Sequence, residues 1–411
     1  VTANPAPDAI VVGAGPAGAA TAILMAEEGL AVTVLDRAHS PRAKICGEYL
    51  SPEGARILDR LGVLKALIAA GAPTLAGMRL TAPDGRAIEG RYRAIGAWRP
   101  YHEGALAVSR ALLDAALSER LRSAPVDFRE DVRVTDVILE SPRRVAGVEA
   151  IDGQGRRREL RAPLVIGADG RASVIAQRLG CRRPHRLRRL ALVTYVRGLP
   201  DCREVGEIFV DPPDYAILNP VAPDCVNLSL VVPLAHAAPH SARLETFFEA
   251  RARQLPHLAR RLAGAERIAP VQAMGPLAYR VNPPRHDGVL LVGDAAGFYD
   301  PFTGEGIFSA LRGAELAAET AARALAAGDV SAHALRAYRR ARREAFRAKE
   351  RLTRVIQFAV RRRWAANLTA TFLVRRPGAL DLLLGVVGDY VPPAALLGRT
   401  RGWSTGAGRS R

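Results

Sequence analysis

The chain has 411 residues, 49% of them hydrophobic, which is enough for two or three packed domains and excludes a disordered polymer. Its formal charge is +18, carried almost wholly by arginine, with lysine only at Lys44, Lys65 and Lys349. No nucleic-acid module is visible and aromatic residues make up 5% of the chain, so the charge does not point to nucleic acid.

The first forty residues organise the rest. Ala9-Ile10-Val11-Val12 is a short all-apolar run, the pattern of a strand buried on both faces. Gly13-x-Gly15-x-x-Gly18 follows at once, then an Ala-rich stretch of helical composition, then a second apolar run over 31–35 that ends on Asp36. That order is the dinucleotide-binding βαβ unit. Gly13 permits a tight turn, Gly15 lets the backbone approach a pyrophosphate, and Gly18 lets helix and strand pack closely. The helix start offers unpaired N–H groups and a positive dipole end to phosphates, while Asp36 can accept hydrogen bonds from ribose hydroxyls. The short polar segment ahead of the first strand has no leader pattern, and no apolar run reaches transmembrane length, which predicts a cytoplasmic protein.

Downstream, Ser51 is placed to cap a helix that runs to about Leu61 and stops at Gly62, and Ser109 is placed to cap another. Strands are expected over 78–81 and 87–91 around a Pro83-Asp84-Gly85 turn, and 132–139 with 145–151 reads as a hairpin or meander. Residues 164–166 form a buried strand leading into Gly167-Ala168-Asp169-Gly170. From 186 to 285, short proline-punctuated strands predict an antiparallel sheet that makes a second, substrate-side domain. A further buried run over 288–292 ends on Gly293-Asp294, and Asp300-Pro301-Phe302-Thr303-Gly304-Glu305-Gly306 leads into a long helix from Ile307. The stretch 336–363 is basic with helical periodicity, suited either to a solvated face or to peripheral contact with an anionic membrane. The tail from Arg399 is Gly/Ser/Arg-rich and expected to be disordered. Cys46, Cys181, Cys202 and Cys225 show no metal-type spacing and the histidines are scattered, so no metal is expected.

There is one glycine fingerprint, so a separate nicotinamide domain of the usual kind is not expected. Asp169 and Asp294 each follow a strand's carboxyl end, where α/β folds bind ligands. If all three strands share a sheet, both acids lie near one nucleotide, with Asp294 placed for the ribityl or pyrophosphate part of a long cofactor. The helix after Glu305 then aims its positive end at a flavin ring, which stabilises negative charge on the reduced ring.

The glycine fingerprint with Asp36, Arg110 with Asp114, Gly-Ala-Asp-Gly at 167–170 and Gly-Asp-Ala-Ala-Gly at 293–297 together resemble the para-hydroxybenzoate-hydroxylase-like flavoprotein fold. Within it, Lys44-Ile45-Cys46-Gly47-Glu48 and the segment from Pro301 to Ile307 are most similar to the geranylgeranyl reductase branch, which uses reduced FAD to saturate isoprenoid double bonds. The resemblance implies an α/β fold with a discontinuous Rossmann-like FAD-binding domain (1–75, 105–185 and 286–330). It also implies a substrate-binding β-sheet domain (76–104 and 186–285) and a C-terminal helical region (331–411). The implied FAD contacts are Gly13, Gly15, Pro16, Ala17, Gly18, Asp36, Arg37, Lys44, Cys46, Arg110, Asp169, Gly293, Asp294, Pro301, Gly304, Glu305, Gly306 and Ile307. Cys46, Glu48 and Tyr215 are the candidates for catalysis.

One stretch departs from that branch. Its Y-x-W-x-F-P signature is here Tyr215-Ala216-Ile217-Leu218-Asn219-Pro220, and the W-x-W-x-I-P motif of flavin halogenases is absent, which disfavours halogenation. The first expectation is double-bond reduction in a hydrophobic, isoprenoid- or polyketide-like substrate, with NAD(P)H or another reductant as electron donor. The second is NAD(P)H- and oxygen-dependent monooxygenation. The third is a non-catalytic escort for a prenylated partner, which the intact glycine motif and both distal acids argue against.

Overall fold

The computed structural model describes residues 6–40, 44–201, 204–376 and 378–398; Cys202 and the tail from Arg399 lie outside the described residues. An all-parallel sheet runs in the order Val289–Leu291, Leu164–Gly167, Ala9–Val12, Val32–Leu35, Val126–Arg129. The two acid-bearing strands are therefore stacked beside the glycine-bearing one, and their carboxyl ends open on the same edge. Ala9–Val12 is central, so all four of its residues are buried, as an unbroken apolar run requires.

One face of this sheet carries the helices Pro16–Glu27 and Gly306–Ala326, which pack on each other. Buried alanines on both, among them Ala19, Ala20, Ala22, Ala314, Ala317 and Ala318, let the two axes approach closely. The other face is covered by an antiparallel meander of Arg133–Ser141, Arg144–Ile151 and Arg157–Arg161. Its third strand reads RRELR, with no apolar alternation to announce it. The two serine caps form as expected: Ser51 Oγ accepts the Gly54 N–H and Ser109 Oγ the Leu112 N–H, each at 3.2 Å.

The second sheet runs Glu266–Arg267, Arg189–Arg197, Cys225–Pro233, Asp214–Ala222, Val205–Asp211, Gly77–Thr81, Ala87–Arg91, with Gln272–Met274 also paired to Arg189–Arg197. It is not wholly antiparallel, because Val205–Asp211 runs parallel to Gly77–Thr81. Those two strands come from distant chain segments, so no hairpin dictates their direction. Strand alternation then divides the side chains between two faces. Leu192, Leu218, Leu228 and Leu230 pack on Phe248, Ala252 and Leu258 of the helices Leu244–Gln254 and Pro256–Arg261, which the strand-only reading of 186–285 did not anticipate. Val193, Ile208, Tyr215 and Val231 point the other way, into a cluster with Val360, Leu373, Leu380 and Leu384. Those four belong to the helices Arg336–Val360, Arg363–Val374 and Ala379–Val387, so the C-terminal segment folds back over the sheet.

Candidate functional site: a flavin cleft with an apolar annex

At the sheet edge the glycine turn is tightly constrained. Gly13 adopts φ +100°, and a Cβ there would stand 2.6 Å from the Ala168 carbonyl oxygen. A Cβ on Gly18 would stand 1.8 Å from the Gly13 carbonyl oxygen. Gly15 caps the helix Pro16–Glu27 in an extended conformation, and no side chain takes the first N–H groups. They face a cleft of about 1110 Å³. Next to it, Asp36 lines a smaller cavity with Ala14, Ser40 and Phe128, where its carboxylate accepts the Ala14 N–H at 2.6 Å and the Ala38 N–H at 3.0 Å.

The far end of the cleft is built by the segment 300–307. Asp300 is its anchor: Oδ1 accepts from Tyr215 OH at 2.8 Å, Gln357 Nε2 at 2.7 Å and the Phe302 N–H at 3.0 Å. Burial pushes the Asp300 carboxyl above its ordinary range, against the pull of nearby Arg189. Gly304 has φ +66°, which favours glycine, and the Tyr49 ring lies against it; a Cβ there would stand 2.3 Å from Cδ1 of that ring. The helix Gly306–Ala326 starts here, also without a side-chain cap. Two bare helix ends thus face one cleft.

Between them sits the segment 44–49. Glu48 adopts φ +56° and is buried, and its Oε1 accepts the Arg110 N–H at 2.8 Å and Tyr195 OH at 2.9 Å. Asn227 Nδ2 donates to Glu48 Oε2 at 3.1 Å and to the Cys46 carbonyl at 2.9 Å. Asn219 Nδ2 donates to the carbonyls of Gly47 at 3.0 Å and Glu48 at 2.8 Å. Burial still pushes the Glu48 carboxyl up, despite these donors. Arg110, itself buried, grips Asp114 with Nη2 at 2.8 and 2.9 Å from the two carboxylate oxygens. Lys44 reaches to 3.9 Å from Asp294.

The cleft brings together Gly15, Pro16, Ala17, Lys44, Cys46, Glu48, Arg110, Asp294, Pro301, Gly304, Gly306 and Ile307. Gly13, Gly18 and Gly293 act beneath it as close-packed backbone. Four expected residues fall outside. Tyr215 is fully buried, with its hydroxyl committed to Asp300 and its ring edge-on to Phe302, so it positions the 300–307 segment and does not reach the cleft. Asp169 Oδ2 instead accepts the Val174 N–H at 2.7 Å, and Arg37 is exposed and lines neither cavity. The Glu305 carboxylate turns to Lys349, 3.5 Å away, leaving only the backbone of that position near the cleft.

Tyr49 and Asn227 belong to no motif visible in the sequence, and Asn219 stands out there only as a departure from Y-x-W-x-F-P. Asn227 and Ser229 interrupt an otherwise apolar buried strand, which is the signal that could have flagged that face.

Lys349 and Asp389 form a buried ion pair that ties the helix Arg336–Val360 to the Glu305 turn, with Lys349 Nζ also donating to the Val387 carbonyl at 2.9 Å. Burial pushes the Asp389 carboxyl from 3.8 to about 7, against the pull of Lys349. An acid that binds its proton more tightly when folded contributes stability that is complete below the unfolded value and lost as pH rises through the folded one. Unfolding midpoints should therefore fall between pH 4 and 7, by on the order of 1 kcal/mol per pH unit for this group. In Asp389→Asn that slope flattens, as denaturant titrations at several pH values will show; an unchanged slope would place the titration elsewhere.

An elongated dinucleotide with a phosphate bridge at one bare helix end and a ring at the other fits this cleft. Gly15, Pro16 and Ala17 would hold the pyrophosphate, Asp36 the ribose, and the backbone from Gly304 to Ile307 the flavin ring. The protein is an FAD-dependent oxidoreductase with a Rossmann-like cofactor domain. Comparison places it further: the chain belongs to the FAD binding domain family, which matches residues 7–353. Conditioned medium factor receptor 1 of Dictyostelium discoideum is 27% identical over 342 residues, covering 80% of this chain and 66% of that protein. A digeranylgeranylglycerophospholipid reductase of Methanosarcina mazei is 27% identical over 332 residues, covering 79% of this chain and 77% of that protein. A solved flavin-dependent brominase superposes with TM-score 0.82 at 22% identity, over 95% of this chain and 97% of its own, which shows a shared fold.

Proposed function

We propose that the protein reduces a carbon–carbon double bond in a hydrophobic, isoprenoid- or polyketide-like substrate, with NAD(P)H or another reductant as the source of electrons. The observation that carries this is an apolar pocket that adjoins the flavin cleft. Gly47, Tyr49, Ile217, Pro301 and Gly304 line both spaces. Met78, Leu80, Ile208, Leu380, Leu383 and Leu384 make its walls, and such surfaces favour a hydrocarbon chain over water. Its lining also includes Asn219 and Thr303, whose buried Oδ1 and Oγ1 have no partner and suit one polar group on an otherwise apolar substrate.

Bound FAD, once reduced, supplies hydride. The chain's own task is to hold a proton where the two spaces meet. Tyr49 OH and Tyr92 OH lie 2.6 Å apart in the cavity lining, and burial pushes both phenols above their ordinary range, so each stays protonated at working pH. Glu48, already accepting three hydrogen bonds, shapes the 44–49 segment.

Anaerobic incubation of reduced enzyme with a panel of prenyl, quinone and polyketide substrates, followed by mass analysis, tests the reading. A product heavier by two hydrogens is expected. Product that forms only with oxygen and gains an oxygen atom would overturn reduction in favour of monooxygenation.

A further inference from the structure

Among the described residues ten large hydrophobic side chains are exposed, and six of them lie between Val355 and Val374. Trp364, Leu368 and Phe372 recur every fourth residue along one face of the helix Arg363–Val374. Trp364 and Leu368 are each 62% exposed. Val355 and Phe358 continue the ridge on the helix Arg336–Val360, and the rings of Phe358 and Trp364 meet edge-on at 6.1 Å. Such a ridge is far from the scattered single exposures of an ordinary surface.

Its border is predominantly cationic. From 351 to 376 the chain carries seven arginines and no aspartate or glutamate, and the acids that reach this face are Glu350, 3.8 Å from Arg354, and Asp211, 2.5 Å from Arg363. Arg351 and Arg354 stand one turn before Val355 and Phe358, while the guanidiniums of Arg362 and Arg376 lie over the rings of Phe358 and Phe372. An aromatic and aliphatic ridge rimmed by arginine is the pattern of a helix lying in a lipid interface. Among the described residues no helix is long and apolar enough to cross a membrane.

We propose that the outer face of the helices Arg336–Val360 and Arg363–Val374 docks on an anionic lipid surface. A second copy of the chain fits less well, because a two-fold contact would set this arginine-rich border, with cations in excess of acids, against itself. The placement also bears on substrate access: Ile356, one residue from Val355, lines the apolar cavity behind the same helix. The docking does not depend on the reaction assigned above, and its test reads binding alone.

The test is flotation of the FAD-loaded full chain with vesicles of phosphatidylcholine, or of phosphatidylcholine and phosphatidylglycerol in equal parts, at low and high salt. Wild type should float with the anionic vesicles and lose them as salt rises. Trp364→Ser with Leu368→Ser and Phe372→Ser, with the flavin spectrum as check on folding, should lower partitioning by more than about tenfold. Arg361→Gln and Arg375→Gln should each lower it by roughly fivefold. Wild type that ignores anionic vesicles at low salt, or a triple variant that floats as wild type does, would overturn the proposal. So would a wild-type dimer in sedimentation that the triple variant dissolves.

Discussion

Gly18→Ala protein is expected to emerge with its flavin content sharply lowered. The added methyl would stand 1.8 Å from the Gly13 carbonyl oxygen, a backbone atom in the turn that presents the helix start to the cleft. The turn has no room to retreat, because Gly13 itself adopts φ +100° hard against the Ala168 carbonyl. The helix must shift instead, carrying its bare N–H groups away from the phosphates. Overpacking of this kind costs about 1–3 kcal/mol. At about 1.4 kcal/mol per decade, that lowers FAD affinity roughly ten- to hundredfold. Absorbance of the purified protein and FAD released per chain will measure it; wild-type loading would mean that the close approach at Gly18 does not set the cradle.

The cradle was legible because its chemistry is local. Strand, glycines, helix, strand and Asp36 follow one another within forty residues, and each is recognised by a short-range rule. Asp294 is equally legible because it ends an apolar run, which by itself puts it at a strand's carboxyl end. What lay beyond reach was the partner of each side chain. Glu305 opens a helix that faces the flavin site, and only the fold shows that Lys349 draws its carboxylate away. Tyr215 matched a motif position, yet Asp300 and Phe302 enclose it on the far side of the segment it supports. The departure at Asn219 became intelligible in the same way. Where the reductase branch carries an aromatic ring, this chain has an amide that clamps the Gly47 and Glu48 carbonyls. Its strand neighbour Asn227 does the same one step away, so two strands jointly hold a loop that neither sequence segment mentions.

The same logic singles out Tyr49, among the described residues the one phenol that lines both the cleft and the apolar cavity. If it delivers the proton that completes double-bond reduction, Tyr49→Phe should keep its FAD, accept electrons at the wild-type rate, and form product about 10²–10⁴-fold more slowly. The lost hydroxyl leaves Tyr92 without its 2.6 Å partner, so Tyr92→Phe is the control that separates packing from proton transfer. Tyr92 lies behind Tyr49, lines the cavity alone and not the cleft, and its variant should retain most of the activity. Single-turnover reduction in heavy water sharpens the comparison, because the transferred proton then comes from solvent through the phenol. Wild type should show a solvent isotope effect on product formation, and Tyr49→Phe should alter it while flavin reduction stays unchanged. Equal loss in both tyrosine variants would instead assign the pair to the shape of the wall, since Gly304 rests against the Tyr49 ring whether or not a hydroxyl is present.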